Sequence, residues 1–594
     1  MNETDSQTPM AGVPAPDRGA ARMRALLFHL AWLIPCLALF AWFFSSEFRG
    51  LNLPEAMDVA QVGRHISEGE GFTTSFVRPL SLAGVPRVER HPDLYNAPLY
   101  PLVLAVAFNL FGANDRAVGL VSVLFGLLTA FFAYLVGTRL VDQRAGALSA
   151  VLVSLSTGFL YASVSGVNIT LLAFLITLGF YLILRHSGSL RWSIACGAVW
   201  GLTYLAEYTA VGLIVPAIVL VVLAQRELRL KHAGAFAVGL VVVLLPWMVR
   251  NWLVVGGPLT SLKACSIAAY GTTYPVTSLY RYQLEKLDSV APLAFAASHL
   301  GEVGKKLLLN LGALISYLPR LLGVCVLPLV GVALVLDLGS GRANRLKWGL
   351  VASMAGMGAI LAVSEPAWDR LYGLYGITTA IGASGLVLAL RGRGLGRGTV
   401  AMAIVALLAL AAFPVAVRAL PGQRRAVPDR ASLEYLAQAL PADAVVVTDE
   451  APAVAWYSDR TAVWIPYAPD IGPTEDPMLR FDATQSDGYK ALARADVEPD
   501  AIFLSSGLRG YGSMEGVIRW QLLHDVIAQY LDAIERGQAG GAPWAPTGWT
   551  LAASLPPRDL LLLPGDVAGQ EEGAAVEAQP EENVSGELDR PEVP

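Results

Sequence analysis

Two acids three residues apart, Glu55 and Asp58, follow the first apolar run of the chain, in Pro54–Glu55–Ala56–Met57–Asp58–Val59–Ala60–Gln61–Val62–Gly63–Arg64–His65–Ile66. Pro54 suits the first position of a helix, and Met57, Val59, Val62 and Ile66 fit one side of it. On such a helix Glu55 and Asp58 are neighbours on one face. A carboxylate there can take a proton from a hydroxyl; the same pair can be first-turn acids favoured by the helix dipole. Glu207 ends a later apolar run, Arg250–Asn251–Trp252 ends another, and Asp369–Arg370 stands beside a third, near Glu365. Arginines at such places can grip a phosphate through paired hydrogen bonds or snorkel to lipid headgroups. Arg64, His65, His91 and Tyr100 complete the candidates, although His91, in Arg90–His91–Pro92–Asp93, reads first as a loop histidine. No HExxH, P-loop, GxSxG or zinc spacing occurs, so no metal ligands are assigned.

The elements that must position these residues are membrane helices. Of 594 residues, 54% are apolar and 15% charged, against about 25% charged in an average soluble domain. The charges are segregated, leaving many windows of about 20 residues without any. The net charge of −5 owes most to an acidic tail from 566 onward. No basic block with interleaved aromatics suggests nucleic acid. The four cysteines have no paired spacing, and Cys36, Cys196 and Cys325 lie in apolar runs as small hydrophobes.

Runs at 25–44, 116–137, 144–164, 168–184, 192–208, 209–224, 233–254, 321–337, 348–364, 371–390 and 398–417 predict about eleven spans. With a cytoplasmic segment at 1–24, the alternate loops carry Arg139 and Arg144; Arg185 and Arg191; Arg226, Arg229 and Lys231; Arg342, Arg345 and Lys347; and Arg391, Arg393 and Arg397. The Lys/Arg excess therefore falls inside. The transmembrane domain covers 25–420, with large external loops at 47–115 and 251–320. The stretch Pro98–Gly112 is too short to span and reads as an interfacial helix. From 421 to 565 the pattern changes: a helix at Ser432–Leu440, strands at Ala444–Thr448, Ala462–Pro466 and Ala501–Leu504, and a helix at Arg519–Arg536 predict a small extracytoplasmic α/β domain. The tail, 566–594, is rich in Glu, Pro, Gly and Ala and reads as disordered.

Three stretches resemble the GT-C class of membrane glycosyltransferases, in particular the protein O-mannosyltransferase and aminoarabinose-transferase-like group, family 39. The first is Glu55 to Phe72, with Ala60–Gln61–Val62–Gly63–Arg64 and Glu70–Gly71–Phe72. The second is Ala97–Pro98–Leu99–Tyr100, then Leu110–Phe111–Gly112 and Arg116. The third is Pro246–Trp247–Met248–Val249–Arg250–Asn251–Trp252 with Gly256 and Pro258. The resemblance covers roughly 1–420. It implies a GT-C fold and an inverting transfer of one sugar from a polyprenyl-phosphate donor to an acceptor at the extracytoplasmic face of the plasma membrane. A loop carboxylate would be the base, cations would hold the lipid phosphate, and a divalent cation is compatible with the class.

The chain also departs from that pattern. The ungapped match sets Glu55 at the family's first acid and Ala56 at its second, whereas Asp58 has the family's residue type, so both remain candidate bases. The acid that relatives often carry just before the fourth span has no counterpart, the chain there reading Ser165–Gly166–Val167–Asn168–Ile169–Thr170. Glu207 stands where many have Arg. A ligase- or polymerase-like transferase, a non-catalytic family member and a lipid or solute transporter are the competing readings; no inverted repeat of spans favours the transporter.

Overall fold

Every apolar run picked out above is helical in the computed structural model, which describes residues 18–185, 188–224, 229–268, 292–392, 397–418, 430–464, 492, 495–505, 549–555 and 559–564. The helices in chain order are α1 (Arg18–Glu47), α2 (Pro54–Ser67), α3 (Pro79–Gly84), α4 (Leu99–Phe111), α5 (Asp115–Leu140), α6 (Gln143–Ser154), α7 (Thr157–Val164), α8 (Ile169–Arg185), α9 (Leu190–Ala206), α10 (Val211–Leu223), α11 (Arg229–Val255), α12 (Pro292–Ser298), α13 (Leu300–Val335), α14 (Gly341–Val363), α15 (Tyr375–Gly392), α16 (Arg397–Arg418) and α17 (Ala431–Ala439).

Among the described residues, seven helices are long and apolar enough to cross a bilayer, and an eighth crossing results if α6 and α7, bent by 64°, form one broken span. The other three of the eleven expected runs are shorter apolar helices: α8, α9 and α10 have 17, 17 and 13 residues, at or below the lower end of the roughly 17–25 that span a 30 Å hydrocarbon layer. The chain is a multi-pass membrane protein. α13 begins at Leu300, in the segment 251–320, and continues into the run expected at 321–337. That helix is broken at Gly323, whose φ of 68° lies in the left-handed region.

Two sets of contacts agree with the expected alternation of sides. At one end, Arg391 in the last turn of α15 pairs with Asp142 between α5 and α6, both assigned inside. At the other, Asp115 at the start of α5 accepts from the Leu51 backbone (3.1 Å) and from Arg430 (2.8 Å), all assigned outside. The helices pack closely where they lack side chains. A Cβ on Gly197 of α9 would stand 1.9 Å from the Phe236 carbonyl oxygen, and one on Gly239 of α11 2.0 Å from that of Ile194.

The segment from α2 to α4 folds onto itself. Pro54 is the first residue of α2, as expected, and Leu53 before it is extended. Gly63 lets α2 press against α4: a Cβ there would be 2.9 Å from the Leu104 Cβ and 3.2 Å from the Pro101 carbonyl oxygen. Gly63→Val is expected to lower stability by about 1–3 kcal/mol through overpacking, read as a lower midpoint of thermal unfolding in detergent, with Gly63→Ala giving the smaller drop.

The C-terminal region holds the expected strands β2 (Val445–Thr448), β3 (Thr461–Trp464) and β4 (Ala501–Leu504), and α17 is the expected helix. The sequence reading missed two more strands, β5 (Trp549–Leu555) and β6 (Asp559–Pro564), which pair antiparallel. It also missed β1 (Phe76–Val77), which comes from the segment between α2 and α3. The six strands run in the order β1-β3-β2-β4-β6-β5. β1 lies parallel to β3 with Phe76 beside Ala462, and the Ala462 amide donates to the Ser75 carbonyl at 2.7 Å. The sheet is thus shared between that segment and the C-terminal region. The helix expected at Arg519–Arg536 and the tail from 566 lie outside the described residues.

Candidate active site

The two acids of α2 have opposite surroundings. Asp58 is buried, its side chain 3% exposed. Its Oδ2 accepts from Arg78 Nη2 (2.7 Å) and Asn96 Nδ2 (2.9 Å), and its Oδ1 from Gln61 Nε2 (3.3 Å). Burial pushes the Asp58 carboxyl above its usual range, opposed by the Arg78 charge and aided by that of Asp93. Asn96 also donates to Asp93 Oδ2 (2.8 Å), so one amide ties the two carboxylates together.

Glu55 is 46% exposed. Arg370 donates to its Oε2, and Oε1 accepts no hydrogen bond among the described residues. Arg370 itself is buried and planar between three acceptors. It donates to Asn168 Oδ1 (2.7 Å) as well as to Glu55, and its Nε lies 3.5 Å from Glu207 Oε2. Glu207, 1% exposed, accepts Lys263 Nζ on both oxygens (3.0 and 3.1 Å), the Thr209 amide (3.2 Å) and Asn168 Nδ2 (3.3 Å). Two carboxylates, at the start of α2 and the end of α9, therefore interleave with two cations from the turns Leu262–Ile267 and Trp368–Leu374.

Tyr95 joins the two clusters. Its ring lies 3.8 Å from the Arg78 guanidinium carbon and 5.9 Å from Lys263 Nζ. Arg250, near the end of α11, donates to Asn251 Oδ1 (3.0 Å) and to the Phe72 carbonyl (3.1 Å), and stacks beside Trp247 at 4.8 Å. It forms no ion pair with a carboxylate among the described residues. The Phe72 carbonyl also accepts the Asp93 amide (3.2 Å), and Tyr208, beside Glu207, donates to the Asn96 carbonyl (3.2 Å) while accepting from Trp247 Nε1 (3.0 Å). Glu55, Asp58, Glu207, Arg250, Asn251 and Arg370 are linked through such short contacts.

Four candidates have other partners. Arg64 donates to the carbonyls of Ala455 (2.8 Å) and Trp456 (3.1 Å) and pairs with Asp459 (2.5 Å), fastening α2 to the C-terminal region. His65 bonds Thr73 (2.9 Å) and Ser75 (3.0 Å); burial and the Arg64 charge push its imidazole below the usual value. Tyr100 is buried against Ser122 (2.8 Å), joining α4 to α5. His91 is buried, with Nδ1 at 2.7 Å from the Arg87 carbonyl oxygen, so Nδ1 carries the proton. Its Nε2 is buried with no hydrogen-bond partner.

Burial lowers the His91 pKa from 6.5 to about 4. The unfolded chain then binds a proton that the folded one refuses, so stability falls as pH drops below 6.5 and levels off only below 4, by roughly 3 kcal/mol in all. His91→Phe is expected to remove this part of the acid destabilisation. The measurement is the unfolding midpoint at pH 7 and pH 5 for both proteins.

Sequence reasoning missed Arg78, Asp93, Asn96, Lys263 and the bridging role of Asn168. No helical or strand spacing ties these positions to α2. Of the departures from the family pattern, the missing acid at 165–170 and Glu207 fall where the network forms.

The family model described as dolichyl-phosphate-mannose-protein mannosyltransferase matches residues 91–252. A search of curated proteins gives no match. Among solved structures, the oligosaccharyltransferase AglB from Archaeoglobus fulgidus, in complex with an inhibitory peptide and a dolichol-phosphate, superposes with a TM-score of 0.50 at 12% identity, over 81% of this chain and 70% of that one. Its apo form gives 0.52 at 13%, over 80% and 69%. ArnT from Cupriavidus metallidurans, bound to undecaprenyl phosphate, gives 0.41 at 15%, over 90% and 98%. The matched family and these proteins are glycosyltransferases of the GT-C class, and the AglB structures share the fold of this chain. The resemblance drawn from the three sequence stretches is borne out.

Proposed function

We propose that this chain transfers a monosaccharide from a polyprenyl-phosphate carrier to an acceptor at the outer membrane face, with Glu55 as the general base. The observation that carries the reading is the half-exposed Glu55 carboxylate: Arg370 fixes Oε2 while Oε1 is left open to an acceptor hydroxyl. Asp58 has the basicity, since burial raises its pKa, but both its oxygens are engaged by side chains that leave it 3% exposed. It acts instead as the counter-charge that holds Arg78.

In the proposed reaction Glu55 takes the acceptor proton as the acceptor oxygen attacks the anomeric carbon from the face opposite the lipid phosphate. The glycosidic bond to phosphate breaks, and the negative charge stays on the departing carrier. Arg250 and Asn251 are suited to receive that phosphate, because the Arg250 guanidinium hydrogen-bonds two neutral acceptors and is committed to no carboxylate among the described residues. The family match across Arg250 and Asn251 supports the carrier class, and the dolichol-phosphate in the AglB complex agrees with it.

A divalent cation does not fit the described residues well. Glu55 and Glu207, the two acids that converge, already hold Arg370 and Lys263 between them, and no group of three His, Cys, Asp or Glu side chains is arranged to ligate a metal among those residues. No step of the reaction is assigned to a metal.

The test is purified protein in liposomes with a set of polyprenyl-phosphate sugars and a membrane extract as acceptor. The expected result is glycosylated product together with released polyprenyl phosphate. Lipid or sugar crossing the bilayer with no new glycosidic bond would overturn the transferase reading in favour of a transporter.

A further inference from the structure

Asp115, the first residue of α5, gathers donors from two distant parts of the chain. Its Oδ1 accepts from Trp456 Nε1 (2.8 Å), and its Oδ2 from Arg430 (2.8 Å) and the Leu51 amide (3.1 Å). The Tyr457 hydroxyl lies 3.0 Å from that same Oδ2 and 3.0 Å from the Leu51 carbonyl oxygen, and shares its one proton between them. Both backbone groups of Leu51 are thereby held. Its side chain is fully buried, and Gly166 makes room for it: a Cβ there would be 2.7 Å from Leu51 Cδ2. Two residues on, the Leu53 carbonyl accepts the Ala56 and Met57 amides (3.0 and 3.2 Å) and opens α2, with Glu55 in its first turn. The far end of α2 is held by the same stretch of the C-terminal region, through Arg64 on the Ala455 and Trp456 carbonyls. The helical turn Val454–Ser458 therefore grips α2 at both ends, and the helix cannot slide along its axis while these bonds stand.

We infer that Tyr457 is a positioning residue for the base: together with Asp115 it holds Leu51, sets the register of α2, and so decides whether Glu55 meets Arg370. The inference rests on the Glu55 reading above and adds a residue and a coupling which that reading does not need. Arg370 is fixed from the other side, by Asn168 and Glu207, so its pairing with Glu55 depends on where α2 stands. A displacement of about 1 Å in a positioned group can cost about 10²-fold in rate. Without the Tyr457 hydroxyl, the Leu51 carbonyl loses the bond that ties it to the C-terminal region. The first turn of α2 then gains that freedom. Tyr457 acts only through Leu51 and this turn.

The test uses the full chain in liposomes with a polyprenyl-phosphate sugar, and compares Tyr457→Phe and Trp456→Phe with the parent. Each variant loses one hydrogen bond to Asp115, and only Tyr457→Phe also releases Leu51. Tyr457→Phe is expected to lower kcat by about tenfold or more, with KM for the donor unchanged. It should also speed amide hydrogen exchange across residues 51–58 while leaving α5 as in the parent. Trp456→Phe should keep kcat and the exchange of 51–58 near the parent values. Equal losses in the two variants would mark a general loosening of the C-terminal region and overturn the positioning role. So would unchanged kcat, a change in KM alone, or unchanged exchange at 51–58 in Tyr457→Phe; each of these leaves the transferase reading intact. A parent chain that forms no glycosylated product overturns that reading and this inference with it.

Discussion

Glu55→Gln is expected to cost about 10²–10⁴-fold in kcat/KM, the range that general base catalysis contributes, with little change in folding. Glutamine has the same shape, and its amide oxygen can still accept from Arg370. What it cannot do is take a proton. The companion variant separates the two acids of α2. Asp58→Asn removes the charge opposite a buried arginine, so it should lose stability, because an uncompensated buried charge is costly. Initial rates with a polyprenyl-phosphate sugar, together with thermal unfolding of each variant, check both statements. Full activity in Glu55→Gln with none in a folded Asp58→Asn would move the base to Asp58.

The second large effect is expected at Arg370. This side chain is 5% exposed and reaches Asn168, Glu55 and Glu207 at once. Arg370→Met keeps the length and deletes the charge. Glu207, 1% exposed, then has Lys263 as its one remaining ion-pair partner among the described residues, and breaking a buried network in this way costs about 3–5 kcal/mol. The readout is the yield of monodisperse protein in detergent and its unfolding midpoint. Arg370→Lys should recover little, since a single ammonium cannot span three acceptors that a planar fork satisfies. Arg370→Met combined with Glu207→Gln should recover part of the loss, since the stranded charge is gone. No recovery in that double variant would contradict the pairing.

Much of the membrane part was legible because its physics is one-dimensional. An apolar run without charges must be a helix in lipid, since its backbone groups have no other partners there. Pro54 at the first position of α2, the helix at Leu99–Phe111 and the strands β2, β3 and β4 all followed from local pattern. Helix length was less legible. Glu207 and the turn Tyr208–Ala210 separate α9 from α10, and these two with α8 are shorter apolar helices than the seven long ones.

The candidate site was legible only in part, for a different reason. Glu55, Glu207, Arg250 and Arg370 stood out because ionisable groups beside apolar runs are costly and therefore informative. Their partners did not. Arg78 and Asn96 sit in a loop whose shape depends on β1 joining a sheet nearly 400 residues away, as far along the chain as Ala462. Lys263 reaches Glu207 across 56 positions. Pairings of that kind leave no periodicity in a single sequence. The same holds for Arg64 and Tyr100, whose types suggested chemistry and whose contacts turn out to hold elements together.

The most direct test of the account is a structure of the full chain in a lipid nanodisc with undecaprenyl phosphate bound. The account predicts the phosphate at hydrogen-bonding distance, about 3 Å, from Arg250, with the open oxygen of Glu55 facing the space where the anomeric carbon would stand. A phosphate bound on another face of the bundle, or one separated from Glu55 by the intact Arg370–Glu207 pair, would contradict it.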